Sequence, residues 1–362
     1  MHASSRRAAA VTAAALVTTV LAGCASAVVG IAEPGAAPPT TTTTPRAVAA
    51  KDSNAENARV VTSEAGAALM AKLRAADLCL ALDPEPMKKF GEPVTTYMGP
   101  GLPGCKIRSG NPGTEVPTHR FEISPSVYTV FDRQKDQEVE VAGHKIYQPT
   151  KPGLEGTCSV RLPIEDSGFA FTISGYKSKG AWPEACEDAK AYTGAIARKL
   201  LAIPARTTPP TGKSLLGKDP CAAQQQFLGE FAGWSPSPVI RNHPYGCRIA
   251  LTKPGDAYSY TLNVFFQYNV EQEVTADTPA VTIAGLSGIR LNKPFMDLPE
   301  SCAVTLNYRP SEPKGTNTGH LISVELNPTQ LNPRLGQKAP PQSLKPCEVV
   351  DKIATTVVGN LG

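Results

Sequence analysis

Nine cysteines are the residues whose type and spacing offer the most chemistry in this chain of 362 residues. Cys24 ends a Leu-Ala-Gly-Cys sequence that follows Arg6, Arg7 and an apolar run from Ala8 to Val20. A basic start, an apolar run and a small-residue cleavage site are the three parts of a secretory signal. A thiol placed directly after that site is typical of a bacterial lipobox. We therefore predict a signal peptide over residues 1–23 and a mature chain that carries acyl groups such as palmitate on Cys24.

The other eight cysteines fall into two groups of four with matching intervals. An even number of cysteines in an exported chain is typical of a disulfide framework. The first and second cysteines of each group are 26 residues apart, and the next intervals are 53 and 55 residues. The groups are Cys79, Cys105, Cys158 and Cys186, then Cys221, Cys247, Cys302 and Cys347. Matching intervals of this kind predict a tandem duplication.

A shift of 142 positions aligns the two copies without a gap over most of their length. The aligned pairs include Asp77 with Asp219, Gly91 with Gly233, Ile107 with Ile249, and Ala142-Gly143 with Ala284-Gly285. Four cysteines allow three connectivities, and duplication restricts the choice to one pattern used twice. We favour first with second and third with fourth, since each bond then ties a helix to a sheet. The sequence has no CxxC and no histidine pair at ligand spacing, so we predict no metal site.

Each copy has the pattern of an α+β domain. Apolar residues at helical spacing predict a helix over 55–78, and shorter helices are expected at Pro86–Gly91 and Ala222–Gly229. Asp77 and Asp219 are expected to cap the helical turns that follow them. The copies close with predicted helices Pro183–Leu201 and Pro346–Leu361. Between them lie short segments rich in β-branched and aromatic residues, which predict antiparallel strands. These are 105–108, 120–124, 127–131, 138–141, 157–162 and 170–174, then 247–252, 258–267, 280–283, 302–308 and 320–325.

Composition divides the chain into five parts. Residues 24–54 hold a run of threonines and prolines with little apolar surface, which predicts a disordered tether. The predicted domains are 55–203 and 219–362, each an antiparallel sheet covered by terminal helices and stapled by two disulfides. Residues 204–218 contain Pro209-Pro210 and predict a short, partly stiff hinge. No later segment has the length of apolar sequence that a membrane-spanning helix needs.

Charge and motif content argue against several functions. Without Arg6 and Arg7 the chain has 34 basic and 32 acidic residues, a balance that argues against nucleic-acid binding. His119, His144, His243 and His320 are scattered, and no HExxH or GxSxG sequence occurs. We therefore predict no catalytic residues, no cofactor and no enzymatic activity.

The chain resembles an actinobacterial family of uncharacterised cell-envelope lipoproteins with a four-cysteine domain. The resemblance rests on the lipobox, the Thr/Pro spacer, Asp219-Pro220-Cys221, Gly246-Cys247, and the Cys302 and Cys347 segments. It covers 77–202 and 219–361, although Leu78 replaces the proline after Asp77. The family fold is similar to the extracellular sensor domain of some mycobacterial receptor Ser/Thr kinases. The resemblance implies a role in ligand sensing or envelope interaction.

Two functions follow as expectations. The first is a noncatalytic binding module, anchored to the cell membrane on its extracytoplasmic face, for an envelope small molecule, lipid or polysaccharide held between the two copies. The alternative is a structural lipoprotein that docks an envelope protein, and a hydrolase is a third and weaker alternative. An exposed aromatic patch around Phe265, Phe266 and Tyr268 would favour protein docking. We expect these three residues to belong to a strand core instead.

Overall fold

The fold was analysed in a computed structural model. The model describes residues 53–99, 102–110, 119–151, 153–178, 180–210, 212–239, 241–269, 272–293, 300–312, 318–331 and 341–362. The chain from 50 to 362 forms one compact unit. The predicted signal peptide, Cys24 and all of the tether except residues 53 and 54 lie outside the described residues. No described helix is both long and apolar enough to cross a bilayer.

The first repeat is built on an antiparallel sheet of seven strands. The strands are β1 (Val94–Met98), β2 (Cys105–Ser109), β3 (His119–Val127), β4 (Asp136–Val141), β5 (His144–Pro149), β6 (Thr157–Pro163) and β7 (Phe169–Lys177). Their order across the sheet is β1-β2-β3-β7-β6-β5-β4, so β3 and β7 lie near its centre.

The second repeat has a sheet of the same topology. Its strands are β8 (Ser235–Pro236), β9 (Gly246–Thr252), β10 (Tyr258–Asn269), β11 (Ala280–Ile283), β12 (Leu286–Lys293), β13 (Ser301–Arg309) and β14 (Gly319–Gln330). The order β8-β9-β10-β14-β13-β12-β11 matches the first sheet strand for strand. The α+β class, with two repeated and disulfide-stapled sheets, is therefore confirmed.

Helices cover one face of each sheet. The helices are α1 (Ser53–Thr62), α2 (Glu64–Ala75), α3 (Pro84–Lys88), α4 (Val130–Arg133), α5 (Trp182–Leu201), α6 (Gln224–Leu228) and α7 (Pro346–Gly359). Helix α5 buries Ala185, Ala189, Tyr192, Ile196 and Leu200, a spacing that places them on one face. That face packs against β6 and β7, and α7 packs in the same way against β13 and β14. The opposite sheet faces present polar side chains, because successive strand residues point to opposite sides.

Several element boundaries differ from the sequence prediction. The helix expected over 55–78 is divided into α1 and α2, because the Ser63 side chain caps α2 by accepting from Gly66 N. The prediction of a strand over Val127–Phe131 is wrong, since β3 ends at Val127 and α4 follows. Asp132 closes this turn by accepting from the backbone N–H and the hydroxyl of Thr129 at 3.2 and 3.0 Å. Strands β1, β5, β8 and β12 were not predicted.

The segment between the repeats is hydrogen-bonded to both of them. In the first repeat, Asp77 N donates to Pro204 O at 2.9 Å and Arg206 N donates to Ala75 O at 3.2 Å. On the second side, Leu215 N donates to Nδ1 of the buried His320 at 2.9 Å. Both ends of the segment therefore have hydrogen bonds to the repeat they adjoin, and a hinge over residues 204–218 stays a prediction.

Candidate functional site

Four disulfides secure the two repeats. They join Cys79 to Cys105, Cys158 to Cys186, Cys221 to Cys247, and Cys302 to Cys347. This is the pairing that the repeated spacing favours, with each bond inside one repeat. Closing a loop of this length removes conformational entropy from the unfolded chain. The second and fourth bonds tie α5 and α7 to the sheets they cover.

A charged contact connects the repeats at the position of the second aligned aspartate. Arg74 at the end of α2 lies 3.2 Å from Asp219, and its side chain is 10% exposed. Asp219 also accepts from the Arg241 guanidinium at 2.8 Å and from Cys221 N at 2.9 Å. The predicted cap is therefore confirmed, and the same carboxylate also joins the repeats. Burial lowers the pKa of Arg74, and Asp219 opposes this effect.

Backbone and apolar contacts extend this junction. The Tyr245 hydroxyl donates to Arg74 O at 2.7 Å and accepts from Gly217 N at 2.8 Å. Val127 N donates to Asn242 O at 2.9 Å, which links the end of β3 to the second repeat. Leu102, from the loop between β1 and β2, is 2% exposed and belongs to the apolar core of the second repeat. The two copies therefore share packing as well as polar contacts.

A cavity of about 570 Å³ lies where the end of β3 meets the second repeat. Its lining is predominantly polar and comes from both copies. The first repeat contributes Asn57, Ser126, Val127, Tyr128, Asp132, Lys135, Asp136, Arg161 and Thr172, and the second contributes Asn242. The sequence predicted a groove between the copies, but none of the residues that line it.

Asp136 binds two other residues that line this cavity. One carboxylate oxygen accepts from Arg161 at 2.6 Å and from the Tyr128 hydroxyl at 2.9 Å. The carboxylate is 10% exposed and the Arg161 side chain is 31% exposed. The guanidinium also lies 5.3 Å from the centre of the Tyr128 ring. Burial, with the neighbouring Asp136 carboxylate, raises the pKa of Tyr128, so its hydroxyl remains a protonated donor at neutral pH.

The remaining lining groups are also paired with one another. Lys135 lies 3.5 Å from Asp132, and the hydroxyls of Ser126 and Thr172 are 3.0 Å apart. The cavity therefore combines two ion pairs, whose charges balance, with hydroxyl and amide groups. Such a lining offers donors and acceptors to a ligand without a net charge to attract a free ion.

The histidines do not meet at the cavity. His320 is fully buried and its pKa is lowered to about 3, chiefly by burial and then by Arg309 and Arg206. His243 has its pKa lowered to about 4 by burial, and its Nδ1 accepts from Tyr245 N at 3.2 Å. His119 contacts Asp188 at 3.2 Å. In the part of the chain that the structure describes, no group of three metal-ligating side chains comes together.

The fold and the cavity define a class of protein, namely a tandem four-cysteine α+β protein with a polar cavity between its repeats. Residues 19–199 match the family described as "Protein of unknown function (DUF3558)". The chain belongs to this family. The resemblance to an uncharacterised family is therefore confirmed, whereas actinobacterial origin and acylation of Cys24 stay predictions.

Solved structures with some similarity include a Pseudomonas aeruginosa protein, the immunity protein TplEi of T6SS complexed with "L" peptide. The two sequences are 7% identical and the TM-score is 0.27. The match covers 73% of this chain and 96% of the immunity protein. The Tle4-Tli4 complex gives 8% identity and a TM-score of 0.25 over 73% and 95%. Similarities this low do not bear on function. No curated protein matches the chain.

Proposed function

We propose that this protein is a membrane-anchored, extracytoplasmic binding module that holds a hydroxyl-rich envelope ligand between its two repeats without chemically changing it. The observation that carries the proposal is the cavity of about 570 Å³ lined by Asp136 and Arg161 of the first repeat and Asn242 of the second. Ligand sites favour such boundaries and have volumes of several hundred Å³.

The chemistry of the lining favours sugar hydroxyls over lipid tails. A hydroxyl group both donates and accepts hydrogen bonds, so it can bind next to a carboxylate, a guanidinium or another hydroxyl. Asp136 with Arg161, and Ser126 with Thr172, present these groups side by side. An acyl chain would displace water from the remaining donors and acceptors of these groups and offer them no hydrogen bond, which is unfavourable.

The same contacts favour binding over catalysis. A general base needs a free acceptor within reach of the substrate proton. The Oδ2 atom of Asp136 already accepts from Arg161 and Tyr128. Tyr128 has a raised pKa, so it is a poor base and a poor acid at neutral pH. These groups are suited to orienting a ligand.

Docking of an envelope protein through an aromatic patch is less well supported. Phe266 is 1% exposed and belongs to the core of the second repeat. Phe265 stacks on His243 with centroids 5.8 Å apart, and Tyr268 lies 5.1 Å from His320. Phe266 and Tyr268 thus fit the strand-core interpretation, whereas Phe265 is half-buried and lies outside that core.

A cavity-filling variant tests the binding site. We expect Ser126→Trp to occupy the cavity and to abolish binding of oligosaccharides on an array of envelope glycans. Ser259→Trp is the matched control, since Ser259 also lies on the outer face of a central strand but outside the cavity lining. Retained binding by Ser126→Trp would contradict the proposal. Circular dichroism and nonreducing peptide mapping verify that both variants fold.

The anchor has its own test. We expect Cys24→Ser to prevent acylation and to release the protein from membranes into the soluble fraction of its host. The wild-type chain should partition with membranes and show an acylated N-terminal peptide by mass spectrometry. An unmodified Cys24 in membrane-derived protein would contradict the anchoring proposal and leave the cavity proposal in place.

A further inference from the structure

The outer face of the first sheet carries a row of hydroxyls that begins at the cavity. Ser126 and Thr172 line the cavity, and the residues two positions away on each strand continue along the same face. Beyond them, the Ser159 and Ser174 hydroxyls are 2.8 Å apart on β6 and β7. Ser124 and Thr157 lie on this face as well, half-buried like the others. The cavity is therefore one end of a longer polar surface.

Two arginines lie at the far end of this surface. Arg108 on β2 and Arg120 on β3 are directly opposite each other in the strand register. Arg120 precedes Ser126 by six positions along β3, so the two residues lie about 20 Å apart. Like charges placed directly opposite one another destabilise a sheet. The strand register therefore places two cationic side chains at directly opposed positions.

Neither guanidinium has an anionic partner among the described residues. Arg108 donates to the Thr95 hydroxyl at 3.0 Å, and no described carboxylate lies within 4 Å of either arginine. Glu122 on the same face forms an ion pair with Lys106, in which the Nζ and Oε2 atoms are 2.8 Å apart. Arg108 stacks over Tyr97 at 5.6 Å and Arg120 over Tyr176 at 5.2 Å. The rings orient the two arginines, and neither arginine forms an ion pair with a carboxylate in the described part of the chain.

The second repeat shows that the fold does not require this pair. The position aligned with Arg108 is Ala250, and the residue opposite it on β10 is Thr261. The order of the strands is the same in both sheets. The two arginines are thus specific to the surface that adjoins the cavity.

We propose that the outer face of the first sheet binds a phosphorylated glycan, with sugar hydroxyls in the cavity and along the serines and a phosphate at Arg108 and Arg120. This inference rests on the proposed function and extends it to a substrate class. A phosphate directs oxygens to several sides, so it can accept from two guanidinium groups that approach separately. A bound phosphate would also balance the positive charge of the two arginines.

The second repeat provides the replacement residues for the test variant. Arg108→Ala with Arg120→Thr introduces the residues that the second repeat carries at the same positions. The control, Arg248→Ala with Lys253→Ala, removes the same charge from exposed positions of the second repeat. The full chain is titrated by calorimetry with a phosphorylated mannan oligosaccharide, the same oligosaccharide after phosphatase treatment, and a carboxylated form of it.

Wild-type and control proteins are expected to bind the phosphorylated probe roughly tenfold to a hundredfold more tightly than the dephosphorylated one. The arginine variant should bind both with the weaker affinity. Equal affinity of the wild-type chain for the two probes, or an arginine variant that keeps the preference, overturns the phosphate site while the cavity proposal survives. Tighter binding of the carboxylated probe also overturns it. Failure of all three probes to bind contradicts the cavity proposal as well.

Discussion

The Arg74 guanidinium lies 3.2 Å from the Asp219 carboxylate, and this ion pair joins the end of α2 to the start of the second repeat. Arg74 also donates to Pro244 O at 3.4 Å, and its own carbonyl accepts from Tyr245. One residue of the first copy is therefore held from three directions by the second. Contacts of this kind fix the boundary at which the cavity forms.

Loss of the Asp219 charge is expected to weaken this boundary. Asp219→Asn preserves an acceptor for Cys221 N but leaves Arg74, whose side chain is 10% exposed, without a counter-charge. We expect the free energy of unfolding to fall by about 2 kcal/mol, less than for a fully buried pair because Asp219 is 28% exposed. Chemical denaturation measures the change. Glu85→Gln, which removes an exposed partner of Lys88, is the control and should have no measurable effect.

Leu102 gives an apolar test of the same boundary. Leu102→Ala is expected to cost about 3 kcal/mol and to reduce hydrogen-exchange protection in β9 and β10, because the side chain fills the core of the second repeat. Leu154→Ala, at a position that is 80% exposed, should leave stability unchanged. Protection lost only in the first sheet would contradict the shared core.

Acid is expected to destabilise the protein through its buried histidines. The pKa of His320 is about 3 and that of His243 about 4 in the folded chain, below the ordinary value of 6.5. The unfolded chain therefore takes up protons first, and stability is full above pH 6.5 and declines toward pH 4. The slope should approach about 1.4 kcal/mol per pH unit for each histidine. Thermal unfolding from pH 7 to pH 4 measures it.

A histidine replacement separates this effect from other titrations. His320→Asn retains an acceptor for Leu215 N, so it should lower stability at pH 7 yet flatten the pH dependence. His144→Asn, at the start of β5, is the control. An unchanged slope in His320→Asn would show that this buried imidazole is not the acid-sensitive group.

The disulfides are expected to contribute similar amounts in the two repeats. The loops closed by Cys158–Cys186 and Cys302–Cys347 span 28 and 45 residues. Replacing both cysteines of either bond by serine should cost about 3.5 to 4 kcal/mol by loop entropy. Denaturation of the two double variants tests this. A much smaller loss in one of them would indicate residual structure in its unfolded state.

Much of the fold was predictable because the same short turn sequences occur in both copies. The Ala142-Gly143 and Ala284-Gly285 pairs align in sequence, and all four residues have positive φ values between 48° and 78°, as the turns of tight hairpins require. The strands after these turns, β5 and β12, were missed because each contains one β-branched residue and at most one aromatic residue.

The site was less predictable because its residues meet only in the folded chain. Asn57, Asp136 and Asn242 come from distant segments and form no short motif. Asp219 was predicted as a cap, but its partner Arg74 belongs to the other copy. A signal was present where the copies differ, since Arg108 aligns with Ala250 directly after the Gly-Cys-x-Ile sequence that both copies share.

Native mass spectrometry of the full chain, extracted gently from the membranes of its own host, tests the binding proposal most directly. We expect a bound glycan on the wild-type protein and on Ser259→Trp, and none on Ser126→Trp. The mass of the glycan released from the protein should match the mass of a free glycan in the host extract. A folded wild-type chain that carries no ligand, or a ligand that remains when the cavity is filled, would contradict binding between the repeats.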